Sequence, residues 1–114
     1  MSGYLTTHVL DTGAGCPAAN LTIDLYRIEG DARTHLRSMV TNGDGRTDSP
    51  ILPQDEFATG DYELIFRTGP YLITNGATDD FLPEVPVRFR MVEPSHYHVP
   101  LLLSPFGYST YRGS

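Results

Sequence analysis

Along the first part of the chain, polar and apolar positions alternate with a period of two. In YLTTHVLD, Tyr4 to Asp11, that period puts Thr6, His8 and Leu10 on one face of a strand and Leu5, Thr7 and Val9 on the other. TGAGCPAA breaks the pattern, and LTIDLYRIE resumes it with Leu21, Ile23 and Leu25 on the apolar side. A Gly30-Asp31 turn leads into a third strand, THLRSMVT, where Leu36, Ser38 and Val40 alternate with His35, Arg37 and Met39. That strand runs into Asn42-Gly43-Asp44-Gly45, residues that tolerate positive φ, so the backbone turns sharply and delivers Arg46 at the end of the bend. SPILPQDEFATG reads as a loop with at most a short edge strand, because prolines flank Ile51 and Leu52 and cannot donate to a ladder.

DYELIFRT is the next strand. PYLITNGA, with proline at its start and Asn-Gly at its end, predicts one short helix. VPVRFRMV alternates strictly, with Val85, Val87, Phe89 and Met91 inward and Arg88 and Arg90 outward. HYHVPLLLS and a short run from Phe106 to Tyr111 complete the set. About eight strands and one short helix predict an all-β fold, a sandwich of two sheets.

Composition sharpens this picture. A chain of 114 residues is the size of one domain, so residues 1–114 are read as a single domain. Nine prolines and eleven glycines suit short strands joined by tight turns. The net charge of -6 and the scattered basic residues leave no footprint for nucleic acid or an anionic membrane, which makes a small molecule or another protein the expected partner. Every basic residue is arginine, and the absence of lysine excludes Schiff-base chemistry on a side chain. Cys16 is the one cysteine and has no internal partner, as expected in a reducing compartment. The opening MSGYLTTHVLD has neither the basic nor the apolar region of a secretory leader, and no apolar run reaches the ~20 residues of a membrane span, so a cytoplasmic protein is expected.

Three groups of residues could carry chemistry. His96 and His98 project from one strand face, a spacing that serves metal binding, and His8 would complete a three-histidine zinc site. The same imidazoles, with an ordinary pKa of ~6.5, equally suit general acid and base roles without a metal, or sit half-buried on a sheet surface without a role. Arg46 either pairs with Asp44 or Asp48 or holds a carbonyl and stabilises an oxyanion. Cys16 precedes Pro17 in a glycine-rich loop, where no neighbour would activate a thiol.

The segments HVLD, NGDGR and HYHVPLLLSPFGYSTYRGS together resemble the signature segments of the transthyretin-like 5-hydroxyisourate hydrolases. The likeness spans essentially the whole chain, and the closing YRGS is specific to the enzyme branch; the related carrier transthyretin shares the strand order but lacks these histidines. The resemblance implies a transthyretin-like sandwich. It also implies hydrolysis of 5-hydroxyisourate to 2-oxo-4-hydroxy-4-carboxy-5-ureidoimidazoline by opening of a cyclic amide. It further implies no cofactor, and a homotetramer, a dimer of dimers, with sites in the channel where dimers meet. By motif, the catalytic residues would be His8, Arg46 and His98, and the substrate would be contacted by His8, Arg46, Tyr111 and Ser114. The rivals are a carrier that binds a small aromatic ligand in that channel without turning it over, and a zinc site at His8, His96 and His98. The role of His96 stays open at this point.

Overall fold

The computed structural model describes residues 3–113; Ser114, expected at the site, lies outside the described residues. Alternation becomes burial most cleanly in β1 (Tyr4–Asp11). Leu5, Thr7, Val9 and Asp11 are buried, and the residues between them are only partly so. β2 (Cys16–Pro17) is a two-residue strand that folds back antiparallel on β1. β3 (Thr22–Glu29), β4 (Ala32–Val40) and β5 (Gly60–Phe66) follow. Helix α1 (Thr68–Thr74), β6 (Val85–Met91), β7 (His96–Ser104) and β8 (Gly107–Thr110) complete the chain. The strands form two four-stranded sheets, in the orders β2-β1-β7-β8 and β4-β3-β5-β6. The expected all-β sandwich with one short helix is what forms.

The sheets enclose one apolar cluster, with Leu5, Val9 and Leu101 from the first sheet facing Ile23, Leu64 and Phe66 from the second. Fully burying a side chain of this size contributes about 1.5–3 kcal/mol, so this shared face holds the layers together. Within the first sheet β1 and β7 pair in parallel, with Tyr4 opposite His96, Thr6 opposite His98 and His8 opposite Pro100. Because the inward residues of both strands are spoken for by the core, the outer face collects Tyr4, Thr6 and His8 beside His96 and His98.

Three details differ from the pattern read along the chain. β4 carries an irregularity opposite Leu25 and Tyr26, where Leu25 pairs with Arg37 and Tyr26 with His35, leaving Leu36 unpaired. Leu36 and Val40 end up exposed while Met39 packs on the core, because an extra residue on an edge strand re-aims the side chains beyond it. Helix α1 begins two residues ahead of Pro70. Proline is tolerated in a first turn, whose N–H groups have no intrahelical partner, and here Gly69 donates instead to the Pro83 carbonyl at 2.8 Å. The loop after Arg46 is not merely a surface connection: Ile51 and Leu52 are buried, and Leu52 bridges to Leu5. Asp24, buried under the second sheet's β3–β4 edge, accepts from Ser38 and Arg67. Burial alone would raise its pKa, but these two bonds, Arg67's charge and His35 hold it below the usual carboxylate value.

Candidate active site

The turn that delivers Arg46 is built by Asn42. Its side-chain oxygen accepts from the Asp44 and Arg46 N–H groups at 2.9 and 3.3 Å, its amide nitrogen donates to Asp48 Oδ1 at 2.9 Å, and its backbone N–H donates to the Arg46 carbonyl at 2.7 Å. Gly45 lies at φ 76°. Its carbonyl accepts from Val9 N–H at 2.8 Å, docking the turn on β1 and making Arg46 the bridge partner of His8. A Cβ on Gly45 would stand 2.3 Å from the Val9 carbonyl oxygen. Gly45→Ala is therefore expected to cost about 2 kcal/mol or more. Thermal denaturation would register this as a drop of ~10 °C, and an unchanged midpoint would contradict this account of the turn.

Three side chains from separate elements meet on the outer face of the first sheet. His8 Nε2 lies 2.9 Å from the Asp44 carbonyl, which can only accept, so that nitrogen carries the proton and Nδ1 is the basic one. His98 Nδ1 lies 2.7 Å from Thr6 Oγ1, leaving Nε2 open, and the rings of His8 and His98 are 6.5 Å apart. Both imidazoles are held below their ordinary pKa. For His8 the causes are partial burial and then Arg46, opposed by Asp44; for His98 they are partial burial, then Arg46, then the neighbouring imidazoles of His96 and His8. Two neutral bases therefore stand beside a permanent cation at neutral pH.

Arg46 settles one of the alternatives left open by its position. Every other arginine of the eight has a partner: Arg27 with Tyr62, Arg33 and Arg88 with Glu63, Arg37 with Glu56, Arg67 with Asp24, Arg90 with Asp61 and Arg112 with Ser95. Among the described residues, no ion pair or hydrogen bond engages the Arg46 guanidinium, and Asp48 is taken by Asn42 instead. Arg46, Thr6, His96 and His98 line a hollow of ≈ 490 Å3. A larger hollow of ≈ 650 Å3 between β2 and α1 is lined by Cys16, Tyr71 and Arg67. It contains no histidine, and its arginine is committed to Asp24 and Glu84.

The end of the chain lies against this site through Gly113 rather than Tyr111. Gly113 N–H donates to the His98 carbonyl at 2.7 Å, and a Cβ there would come within 2.6 Å of His98 Cδ2, so only glycine lets the backbone lie over the imidazole. Tyr111 is exposed and lines a separate hollow with Phe89, Tyr97 and Val99, and Arg112 stacks over the Tyr97 ring at 4.2 Å. Within one protomer, His8, Arg46 and His98 are thus brought together and Tyr111 is not. Among the described residues no group of three His, Cys, Asp or Glu side chains is arranged to hold a metal. His96 instead stacks on Tyr4, with centroids 4.2 Å apart and planes 8° from parallel, and its Nε2 lies 2.7 Å from Thr6 Oγ1. Reading the chain strand by strand gave no site role to Thr6, Asn42 or Gly113, although alternation put Thr6 on the face of His8 and an asparagine opening a Gly-Asp-Gly turn is a signal in itself.

A two-sheet sandwich that carries a histidine pair and an unpaired arginine on an outer face defines the class. The description of the HIUase/transthyretin family matches residues 5–113, and the chain belongs to that family. It is 58% identical over 115 residues to the 5-hydroxyisourate hydrolase of Mesorhizobium japonicum, covering 98% of this chain and 93% of that one. A crystal structure of (S)-allantoin synthase superposes with a TM-score of 0.90 at 44% identity; the match covers 98% of this chain, which spans 44% of the length of that one. The transthyretin of Sparus aurata superposes with a TM-score of 0.86 at 29% identity, covering 96% of this chain and 95% of that one.

Proposed function

We propose that the chain hydrolyses 5-hydroxyisourate to 2-oxo-4-hydroxy-4-carboxy-5-ureidoimidazoline. The observation that carries this reading is the unpartnered Arg46 guanidinium beside two imidazoles held neutral. The 58% identity to a hydrolase of that name supports it. A high TM-score to a transthyretin leaves the fold neutral between enzyme and carrier, so the side chains on the outer face decide. A binding module would gain nothing from two bases kept free of protons.

On this reading a water lies between His8 and His98 and gives up a proton as its oxygen adds to the ring carbonyl. Arg46 holds the substrate's ring edge with its planar fork and stabilises the negative charge that develops on the carbonyl oxygen. The C–N bond then breaks, and the proton taken from water passes to the departing ring nitrogen. Tyr111 and Ser114 complete the substrate's surroundings in a homotetramer, a dimer of dimers. The unpaired edges of β6 and β8, with Val92, Phe106 and Tyr108 exposed along them, support that assembly. The family match over residues 5–113 supports reading the chain as one domain. No helix among the described residues is long and apolar enough to cross a membrane. The exposed, unpaired thiol of Cys16 supports a cytoplasmic, reducing location.

The deciding measurement is ultraviolet-monitored loss of freshly made 5-hydroxyisourate. Protein sized by light scattering is expected to run as a tetramer and to accelerate that loss far beyond buffer. Saturable binding with loss at the spontaneous rate would establish the carrier instead.

A further inference from the structure

Thr6 stands at the middle of a hydrogen-bonded chain that the hydrolytic steps above leave unused. Its Oγ1 is 2.7 Å from His98 Nδ1 on one side and 2.7 Å from His96 Nε2 on the other. A threonine hydroxyl has one proton and two lone pairs, so when it spends its proton on one of the two rings it accepts from the other. Two arrangements satisfy this. In the first, His98 Nδ1–H donates to Thr6, Thr6 O–H donates to His96 Nε2, and His98 Nε2 is left with a lone pair. In the second, both bonds reverse, and His98 Nε2 carries a proton.

The geometry holds the chain in place, and the charge of Arg46 favours the first arrangement. Nδ1 of His98 is taken by Thr6, so Nε2 is the nitrogen left for water or substrate, and Arg46, lining the same hollow, disfavours a second positive dipole there. His96 is exposed yet held flat against Tyr4, which keeps its Nε2 on the hydroxyl. The parallel register places both partners: Tyr4 opposite His96 supplies the stack, and Thr6 opposite His98 supplies the hydroxyl. The titratable and charged groups around Thr6 are Tyr4 and His8 on its own strand, His96 and His98 on β7, and Arg46 and Asp48 in the loop after β4.

We propose that Thr6 is a positioning residue for the hydrolysis: with His96 as its acceptor, it fixes His98 in the Nδ1–H tautomer, so that the Nε2 lone pair meets the attacking water. This rests on the hydrolytic reading above and gives His96 its role. A fixed neighbour on the distal nitrogen is how imidazole ligands and bases are generally oriented, and loss of such a neighbour typically costs about 10–100-fold in activity.

The test has two arms. In turnover, Thr6→Val, nearly the same shape without the hydroxyl, is expected to lower kcat roughly tenfold or more while KM stays near wild type, and Thr6→Ser is expected to restore most of the rate. Independently of turnover, nitrogen NMR of the imidazoles is expected to show His98 protonated at Nδ1 and bare at Nε2, a fixed form that Thr6→Val abolishes. His96→Phe keeps the stack on Tyr4, removes the acceptor and is expected to act in the same direction should the valine variant not fold. Wild-type kcat in Thr6→Val, equal damage from serine and valine, or a proton on Nε2 of wild-type His98 would each overturn the proposal. A wild type without turnover would remove the hydrolytic reading, and the NMR arm would then judge the tautomer by itself.

Discussion

His98→Asn is expected to give a folded protein that consumes 5-hydroxyisourate at close to the spontaneous rate. Asparagine keeps a polar group within reach of Thr6 and adds no bulk beneath Gly113, so the sheet has no reason to change. What is lost is the ability to take a proton, and general acid–base catalysis of this kind contributes about 10²–10⁴-fold. The pH profile provides a second reading. Partial burial, Arg46, His96 and His8 hold the His98 pKa below its ordinary value, and His8 is lowered likewise. A base works in its neutral form, so wild-type activity should rise with pH through a midpoint below ~6.5 and be flat at neutrality. Wild-type turnover in His98→Asn, or an acid limb centred above that value, would remove His98 from the chemistry.

Replacing Arg46 should produce a different signature. Arg46→Met retains a long side chain in the hollow but removes the charge and the planar fork, and loss of one such transition-state donor costs about 10²–10³ in kcat. The fold should be unaffected, because among the described residues the guanidinium makes no ion pair whose loss would matter. Since Arg46 helps hold both imidazoles below their ordinary value, its removal lets them rise, and the acid limb of the profile should move upward towards ~6.5. Arg46→Lys separates the two contributions: the limb stays low because the charge remains, while kcat still falls because a point charge does not hold a planar ring edge as the fork does. A methionine variant with an unshifted limb would show that Arg46 does not face the histidines in solution.

Much of this site could be read from the chain because its parts sit in locally regular segments. Alternation in Tyr4 to Asp11 gave both the strand and the shared face of Thr6 and His8, and the Asn-Gly-Asp-Gly run announced the corner that presents Arg46. What alternation does not contain is which strands lie side by side. That Thr6 faces His98, and that Arg46 bridges to His8, follows only once β1 pairs with β7 and the turn docks on β1. Without that pairing, the role of His96 stays open between a metal ligand with His8 and His98 and a residue without a part in the chemistry. Tyr111 marks the converse limit. Motif placed it at the substrate, while within one protomer Tyr111 lines a separate hollow with Phe89 and Tyr97. β2 escaped notice because two residues carry no period, and the displaced face of β4 because one extra residue at Leu36 erases the phase.

The parallel β1–β7 pairing also sets a timetable. Thr6 and His98 are hydrogen-bonded neighbours separated by 92 residues, and at ribosomal speeds of roughly 5–20 residues per second that interval is about 5–20 s of synthesis. For that time β1, a central strand of its sheet, has within that sheet only the two-residue β2, with backbone bridges from Leu52 and the Arg46 turn, to lean on. The edge of β1 that β7 will take is left unpaired in the meantime and is open to pairing with another nascent copy. The face that carries the histidines is therefore completed only when β7 arrives, and its yield in a cell depends on how well the chain tolerates that wait.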